Sequence, residues 1–102
     1  MEFDFSNRHL KELYENGYSK KYELKKGLAK IYIERINRIE AAMTIYDLME
    51  PPSMKFKKLE GIKNRFSIRI NNQYRLEFEI EFEDEAKTKG KVIIKDVSKH
   101  YE

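Results

Sequence analysis

A chain of 102 residues is one small domain with a single core; 40% hydrophobic and 38% charged residues, with seven Tyr and six Phe, mark it as globular. Cysteine is absent, which excludes disulfide staples, thiolate metal sites and cysteine nucleophiles, and the two histidines, His9 and His100, are too far apart in sequence to read as zinc ligands. The net charge is only +3, no apolar run approaches the roughly 18 residues of a membrane span, and Met1 to Asp4 lacks a signal-peptide layout, so a cytoplasmic protein without membrane contact is expected.

Glu2 to Phe5 alternates and can form a short strand. Ser6 reads as an N-cap, with Phe5 and Leu10 placed for a hydrophobic staple, and Asn16-Gly17 reads as the stop of a short first helix. Residues 18–23 are a polar connection. From Leu24, apolar residues at helical spacing (Leu28, Ile31, Tyr32, Ile36, Ile39, Met43, Tyr46) predict one helix as far as Met49, where Pro51-Pro52 ends it. At about 25 residues it would run nearly 40 Å. Its Tyr and Met stripe reads as core packing. Two consecutive helices with a short link predict an αα-hairpin on a sheet. A strand starting at Met54, a turn at Gly61, an exposed loop over 83–90 and a last strand over 91–97 complete the reading. The expected fold class is α+β: two N-terminal helices packed on a small antiparallel sheet of three to four strands, in a single domain spanning 1–102.

Between 59 and 82 the period is two. Apolar residues fall at Phe66, Ile68 and Ile70, then at Tyr74, Leu76, Phe78, Ile80 and Phe82. The two strands must show their apolar residues to one side, so opposed residues must have numbers with an even sum. A three-residue loop, Asn71-Asn72-Gln73, meets that condition by pairing Ile70 with Tyr74, Ile68 with Leu76 and Phe66 with Phe78. Arg69 then faces Arg75, and Ser67 faces Glu77, on the other side of the sheet. Like charges facing across a ladder repel. Either an anion lies between the two guanidinium groups, phosphate being the best match to their forked donors, or diagonal Glu77 neutralises Arg69 on a plain solvated face.

Charge is unevenly spread. Between Pro51 and Arg75 stand Lys55, Lys57, Lys58, Lys63, Arg65, Arg69 and Arg75 against a single acid, Glu60, and Glu77, Glu79, Glu81, Glu83, Asp84 and Glu85 follow directly. A basic cluster of this density fits nucleic acid or phosphate. No glycine-rich phosphate loop or nucleophile elbow is present. The residue types that remain suit RNA cleavage, because RNA brings its own nucleophile, the 2′-OH, and needs from the protein only positioning, charge stabilisation and a proton carrier. No metal or cofactor is required for that chemistry. Near the end of the chain Asp96, Lys99, His100 and Tyr101 gather such groups, with His100 the natural proton carrier near neutral pH.

The stretch from Phe66 to Leu76 (Phe-Ser-Ile-Arg-Ile-Asn-Asn-Gln-Tyr-Arg-Leu), preceded by Leu59-Glu60-Gly61 and followed by a final strand with an Asp and a His, resembles the HigB branch of the RelE/ParE toxin superfamily. The resemblance covers the chain in element order and is most specific over 59–78. It implies a RelE-like fold and a toxin of a type II toxin-antitoxin system that cleaves mRNA on the ribosome without a cofactor. It further implies a helix-turn-helix antitoxin, HigA-like, as partner, and contact with DNA only through that antitoxin. Arg75 matches the arginine that contacts the scissile phosphate. Arg69 and Ser67 match strand positions that reach RNA in relatives, and Asp96 or His100 match the terminal acid and histidine. The resulting catalytic set is Arg75, Arg69, His100, Asp96 and Tyr101, with Lys55, Lys57, Lys58, Lys63, Arg65, Ser67 and Lys99 binding RNA. Two departures stand out. Lys57 takes the place of a histidine found in many members, and Asp96 and His100 are spaced differently from the family's terminal Asp-Tyr-His. Two other readings keep the residues: a ParE-like inhibitor of gyrase without catalysis, and a non-toxic module that binds RNA or protein. The acidic strand is a candidate surface for a basic antitoxin.

Overall fold

The computed structural model describes residues 1–99. It holds a strand β1 (Phe3–Phe5), helices α1 (Arg8–Asn16), α2 (Lys26–Ala41) and α3 (Ile45–Met49), a single 3-10 turn at Pro52–Met54, and strands β2 (Lys57–Lys58), β3 (Arg65–Arg69), β4 (Tyr74–Phe82) and β5 (Gly90–Lys99). The strands form one sheet in the order β1-β5-β4-β3-β2. Its apolar face (Phe66, Ile68, Ile70, Leu76, Phe78, Ile80, Val92 and Ile94) is buried in one core with Leu10 and Leu13 of α1, Tyr32, Ile36 and Ile39 of α2, and Ile45 and Leu48 of α3. The buried Tyr32 hydroxyl donates to the Leu10 carbonyl at 2.8 Å and ties the two long helices together. No helix of the described residues is long and apolar enough to cross a membrane.

The α+β class holds, but the sheet is larger than three or four strands and is mixed. β1 pairs with β5 in parallel, Phe3 opposite Val92 and Phe5 opposite Ile94, which makes five strands. A three-residue edge strand has no local signal for its direction; its partner at the far end of the chain decides it. The helical region also differs. The single long helix expected over 24–49 breaks at Ala42–Thr44, where Ala42 turns to extended backbone and Thr44 caps a new helix. Asp47 Oδ2 accepts from the Met43 and Thr44 backbone N–H at 2.8 and 3.2 Å, completing a capping box. This break rotates the helical phase. Ile45 and Leu48 turn inward, and Met43 and Tyr46, expected in the core, are exposed.

Two smaller corrections concern ends. The cap of α1 is Asn7, whose Oδ1 accepts from Leu10 N at 3.0 Å, one residue after the expected Ser6. Phe5 consequently lies outside staple position, and its ring packs on Tyr14 with centroids 5.6 Å apart. The stop at Gly17 is as expected: its φ of 73° suits glycine, and its N–H donates to Leu13 O at 3.0 Å. Met54 starts no strand. It is buried at the end of the 3-10 turn, and the strand that follows is only Lys57–Lys58.

The central hairpin has the register expected of a three-residue loop. Phe66 faces Phe78, Ile68 faces Leu76, Ser67 faces Glu77 and Arg69 faces Arg75. Asn71 Oδ1 closes the loop by accepting from the N–H of Gln73 and Tyr74 at 2.9 and 2.8 Å. On the other side of β4 the pairing slips once, because Glu77 faces Asp96 while Phe78 faces Ile94. The extra residue, Lys95, is a β-bulge. It returns Val97 to the core side opposite Leu76 and keeps Asp96 from being driven inward. At the start of β5, Gly90 passes so close to β4 that a Cβ would lie 2.0 Å from the Glu81 carbonyl oxygen.

Candidate nucleic-acid interface

The face of the sheet away from the helices carries the charged residues, and β4 lies in its middle. Its acids are therefore set between basic strands. Glu77 meets Arg65 of β3 at 3.5 Å, Glu79 meets Lys95 of β5 at 3.5 Å, and Glu81 stands opposite Lys91. The acids of β4 are thus matched within the sheet, which weakens the reading of this strand as a surface for a basic partner; Glu83, Asp84 and Glu85 lie beyond the strand, in the loop that follows it. Arg65 is correspondingly committed: it is half-buried, shares Glu77, and its Nε is buried with no hydrogen-bond partner.

Arg75 is the centre of the arrangement. Its residue is only 9% exposed, an unusual place for a guanidinium. The side chain crosses β3: Nε donates to Ser67 Oγ at 2.8 Å, and Nη2 donates to the Ser67 carbonyl at 3.3 Å and to the Lys55 carbonyl. Lys55 can offer that carbonyl because it adopts left-handed backbone, φ 44° and ψ 53°, at the end of the 3-10 turn. Ser67, expected to reach RNA, is fully buried, and its hydroxyl serves Arg75. Arg69 goes the other way and donates from Nη2 to Asn72 Oδ1 in the hairpin loop. The facing arginines thus accommodate each other by diverging. Glu77 binds Arg65 rather than Arg69, so it is not the neutralising partner of Arg69.

Around this centre the exposed lysines spread along the sheet edge. Lys57 stands opposite Ser67 and Lys58 opposite Phe66, both exposed on β2, with Lys55 exposed just before them and Lys63 in the turn after them. At the opposite end of the same rows, Ser98 faces Arg75 and the exposed Lys99 faces Tyr74. Asp96 faces Glu77 and accepts from the Tyr22 hydroxyl at 3.2 Å. Burial, opposed by a hydrogen bond to Asn7 and reinforced by the charge and hydrogen bond of Asp96, pushes the Tyr22 phenol above its ordinary value. His100 and Tyr101 lie outside the described residues.

One contributor escapes a reading of the sequence. Arg35 of α2 is mostly buried and donates from Nε to the Arg69 carbonyl at 2.7 Å, fixing the end of β3 to the helix layer. Glu34 joins Arg35 and Arg38 by hydrogen bonds; burial pushes its carboxyl up, but the bonds from Arg38 and then Arg35 outweigh that and hold it below its ordinary value. Arg35 lies beside the apolar stripe on the helical wheel, where an arginine usually only snorkels. Only the fold shows which carbonyl it meets.

What the face can do chemically follows from these contacts. It offers one guanidinium locked in orientation, a second at the hairpin tip, and a row of long-stemmed ammonium groups beside them. That is the equipment for holding a phosphodiester and matching charge that develops on it.

Residues 3–91 match the family model described as the RelE-like toxin of type II toxin-antitoxin system HigB. The chain is also 33% identical over 81 residues to Toxin HigB-1 of Vibrio cholerae serotype O1, an overlap of 78% of this chain and 83% of that protein. The chain therefore belongs to the HigB-like family of RelE-like toxins of type II toxin-antitoxin systems.

Proposed function

We propose that this chain is a single toxin domain, residues 1–102, acting as a ribosome-dependent endoribonuclease that cuts mRNA and is neutralised by a helix-turn-helix antitoxin. The observation that supports the reading most is the Arg75 guanidinium, oriented by Ser67 and the Lys55 carbonyl beside the exposed Lys55, Lys57 and Lys58. A fixed cation aimed at a phosphate costs no reorganisation as charge builds on the phosphorus. In the proposed reaction the 2′-oxygen attacks the adjacent phosphorus and the bond from phosphorus to the 5′-oxygen breaks. The proton lost by the 2′-OH passes to a base, and the departing 5′-oxygen takes up a proton. The products are a 2′,3′-cyclic phosphate, open to hydrolysis to a 3′-phosphate, and a 5′-OH end.

Arg75 stabilises the five-coordinate phosphorus, Arg69 at the hairpin tip holds a neighbouring phosphate, Lys57 and Lys58 orient the message, and Lys55, Lys63 and Lys99 add attraction for the backbone. His100 carries the proton, with Asp96 or Tyr101 assisting. DNA is met only through the antitoxin. The test is mapping of mRNA 5′ ends in cells lacking the antitoxin, after induction of the wild type, Arg75→Ala and the surface variant Lys57→Ala/Lys58→Ala. Codon-phased cuts in translated messages that disappear in Arg75→Ala and weaken in the lysine variant support the reading. The lysine variant guards against a fold lost with the buried Arg75. Growth arrest with intact messages and halted replication gives the gyrase reading instead, and no arrest leaves a binding module.

A further inference from the structure

The helix break at Ala42–Thr44 creates a surface that the RNA face does not use. Because α3 turns Ile45 and Leu48 inward, Tyr46 and Met49 of α3, and Met43 in the break just before it, are left exposed at 60%, 44% and 79%. Large apolar side chains standing together in water mark a contact surface. Met adapts to a partner's shape, and Tyr is a frequent anchor of binding energy. Shallow hollows flank the stripe. One of about 290 Å³ is bordered by Met43, Glu2, Glu83 and Lys89, and one of about 200 Å³ by Ala41, Ala42, Asp47 and Arg38.

The charge around the stripe identifies the occupant. Residues 39–54 contain Glu40, Asp47 and Glu50 and no Lys or Arg; of the cations at their edge, Arg38 is held by Glu34, and the Met1 ammonium by the carbonyls of Ile39, Glu40 and Ala42. The loop from Glu83 to Lys89 lies against the start of α3, with Ile45 N donating to Thr88 O at 2.8 Å, and it adds the exposed Glu83 and Glu85 beside Lys87 and Lys89. A nucleic acid is repelled by that rim. A second copy docking the same face on itself would bring two acidic rims together. The fitting occupant is a protein segment with apolar anchors flanked by Lys or Arg.

We propose that the Met43, Tyr46 and Met49 face, with its acidic rim, is the docking site for a basic amphipathic segment of the antitoxin that membership of this toxin family implies. The proposal rests on family membership; the nuclease reading enters only through the growth readout. The probe is the purified antitoxin encoded beside the toxin, titrated calorimetrically into the wild type, Met43→Ser/Tyr46→Ser/Met49→Ser and Glu40→Lys/Glu50→Lys. Both sets of substitutions are on the surface, and circular dichroism verifies the fold. The expected results are affinity at least about tenfold lower in each variant and a wild-type affinity that falls as salt rises. In cells, the triple-serine variant arrests growth like the wild type but is no longer rescued by the antitoxin. Equal affinity for wild type and variants overturns the proposal. So does antitoxin binding that is unchanged while the wild type sediments as a dimer and the variant as a monomer, which would assign the face to a second copy. If the wild type arrests nothing, the toxic reading fails, while the calorimetry still decides this one.

Discussion

Arg75 carries two burdens, orientation of a charge and integrity of a buried network. Removing its Ser67 partner separates them. Ser67→Ala leaves Nε facing a methyl group in a place closed to water, and a buried donor that loses its acceptor costs about 1–3 kcal/mol, with a charged one at the upper end or above. The expected outcome is a stability lower by that amount in urea unfolding, together with slower cleavage in a reconstituted translating ribosome. Unchanged stability and unchanged cleavage would instead show that the carbonyls of Ser67 and Lys55 hold Arg75 without the hydroxyl. The sequence makes the pairing of Arg69 with Arg75 legible, because an even sum and a three-residue loop at Asn71-Asn72-Gln73 together give that register. It does not show where each side chain turns. That depends on a carbonyl presented by left-handed Lys55, on a turn whose conformation the local residue types do not encode.

At the scale of elements, the helix break is the feature with the widest consequence. Periodicity runs without interruption through Ile39, Met43 and Tyr46, and a pattern of apolar spacing cannot distinguish one long helix from two whose phases differ. The deciding signal is Thr44-Ile45-Tyr46-Asp47, a capping box in which Asp stands where Glu or Gln is more usual. Thr44→Ala removes the side-chain acceptor of Tyr46 N and is expected to cost about 1 kcal/mol. If α3 is a unit whose direction depends on this cap, the same substitution also weakens antitoxin binding in calorimetry, although Thr44 is no part of the apolar stripe. A stability loss with unchanged antitoxin affinity would show that packing of Ile45 and Leu48 alone holds α3 in place. The parallel pairing of β1 is equally hidden. Its residues alternate correctly for a strand, but the partner that sets their direction lies about ninety residues further along the chain.

For the whole molecule, the sum of the charges says little and their arrangement says much. A net charge of +3 resolves into a basic sheet edge around Lys55, Lys57, Lys58 and Lys63, a central strand whose acids are matched by Arg65 and Lys95, and an acidic rim around α3. The sequence shows the clusters as linear runs, and only the strand order reveals that one run is neutralised while another remains open. This division gives a test of the edge that does not depend on Arg75. Lys57 and Lys58 are exposed and have no core role, so Lys57→Glu/Lys58→Glu is expected to leave thermal stability nearly unchanged, within about 0.5 kcal/mol. A phosphate that no longer meets a lysine keeps its condensed counterion, so binding releases fewer ions. The logarithm of the affinity for a single-stranded RNA is therefore expected to fall less steeply with the logarithm of salt, by roughly 0.7 for each phosphate left unneutralised. Affinity itself falls most at low salt, where the missing attraction would be least screened. A variant that binds RNA with the wild-type slope would remove these lysines from the interface and leave it to the guanidinium groups of Arg69 and Arg75. A slope shallower by the share of one or two phosphates, with antitoxin affinity untouched, would establish that the basic edge and the acidic α3 face serve different partners and can be occupied independently.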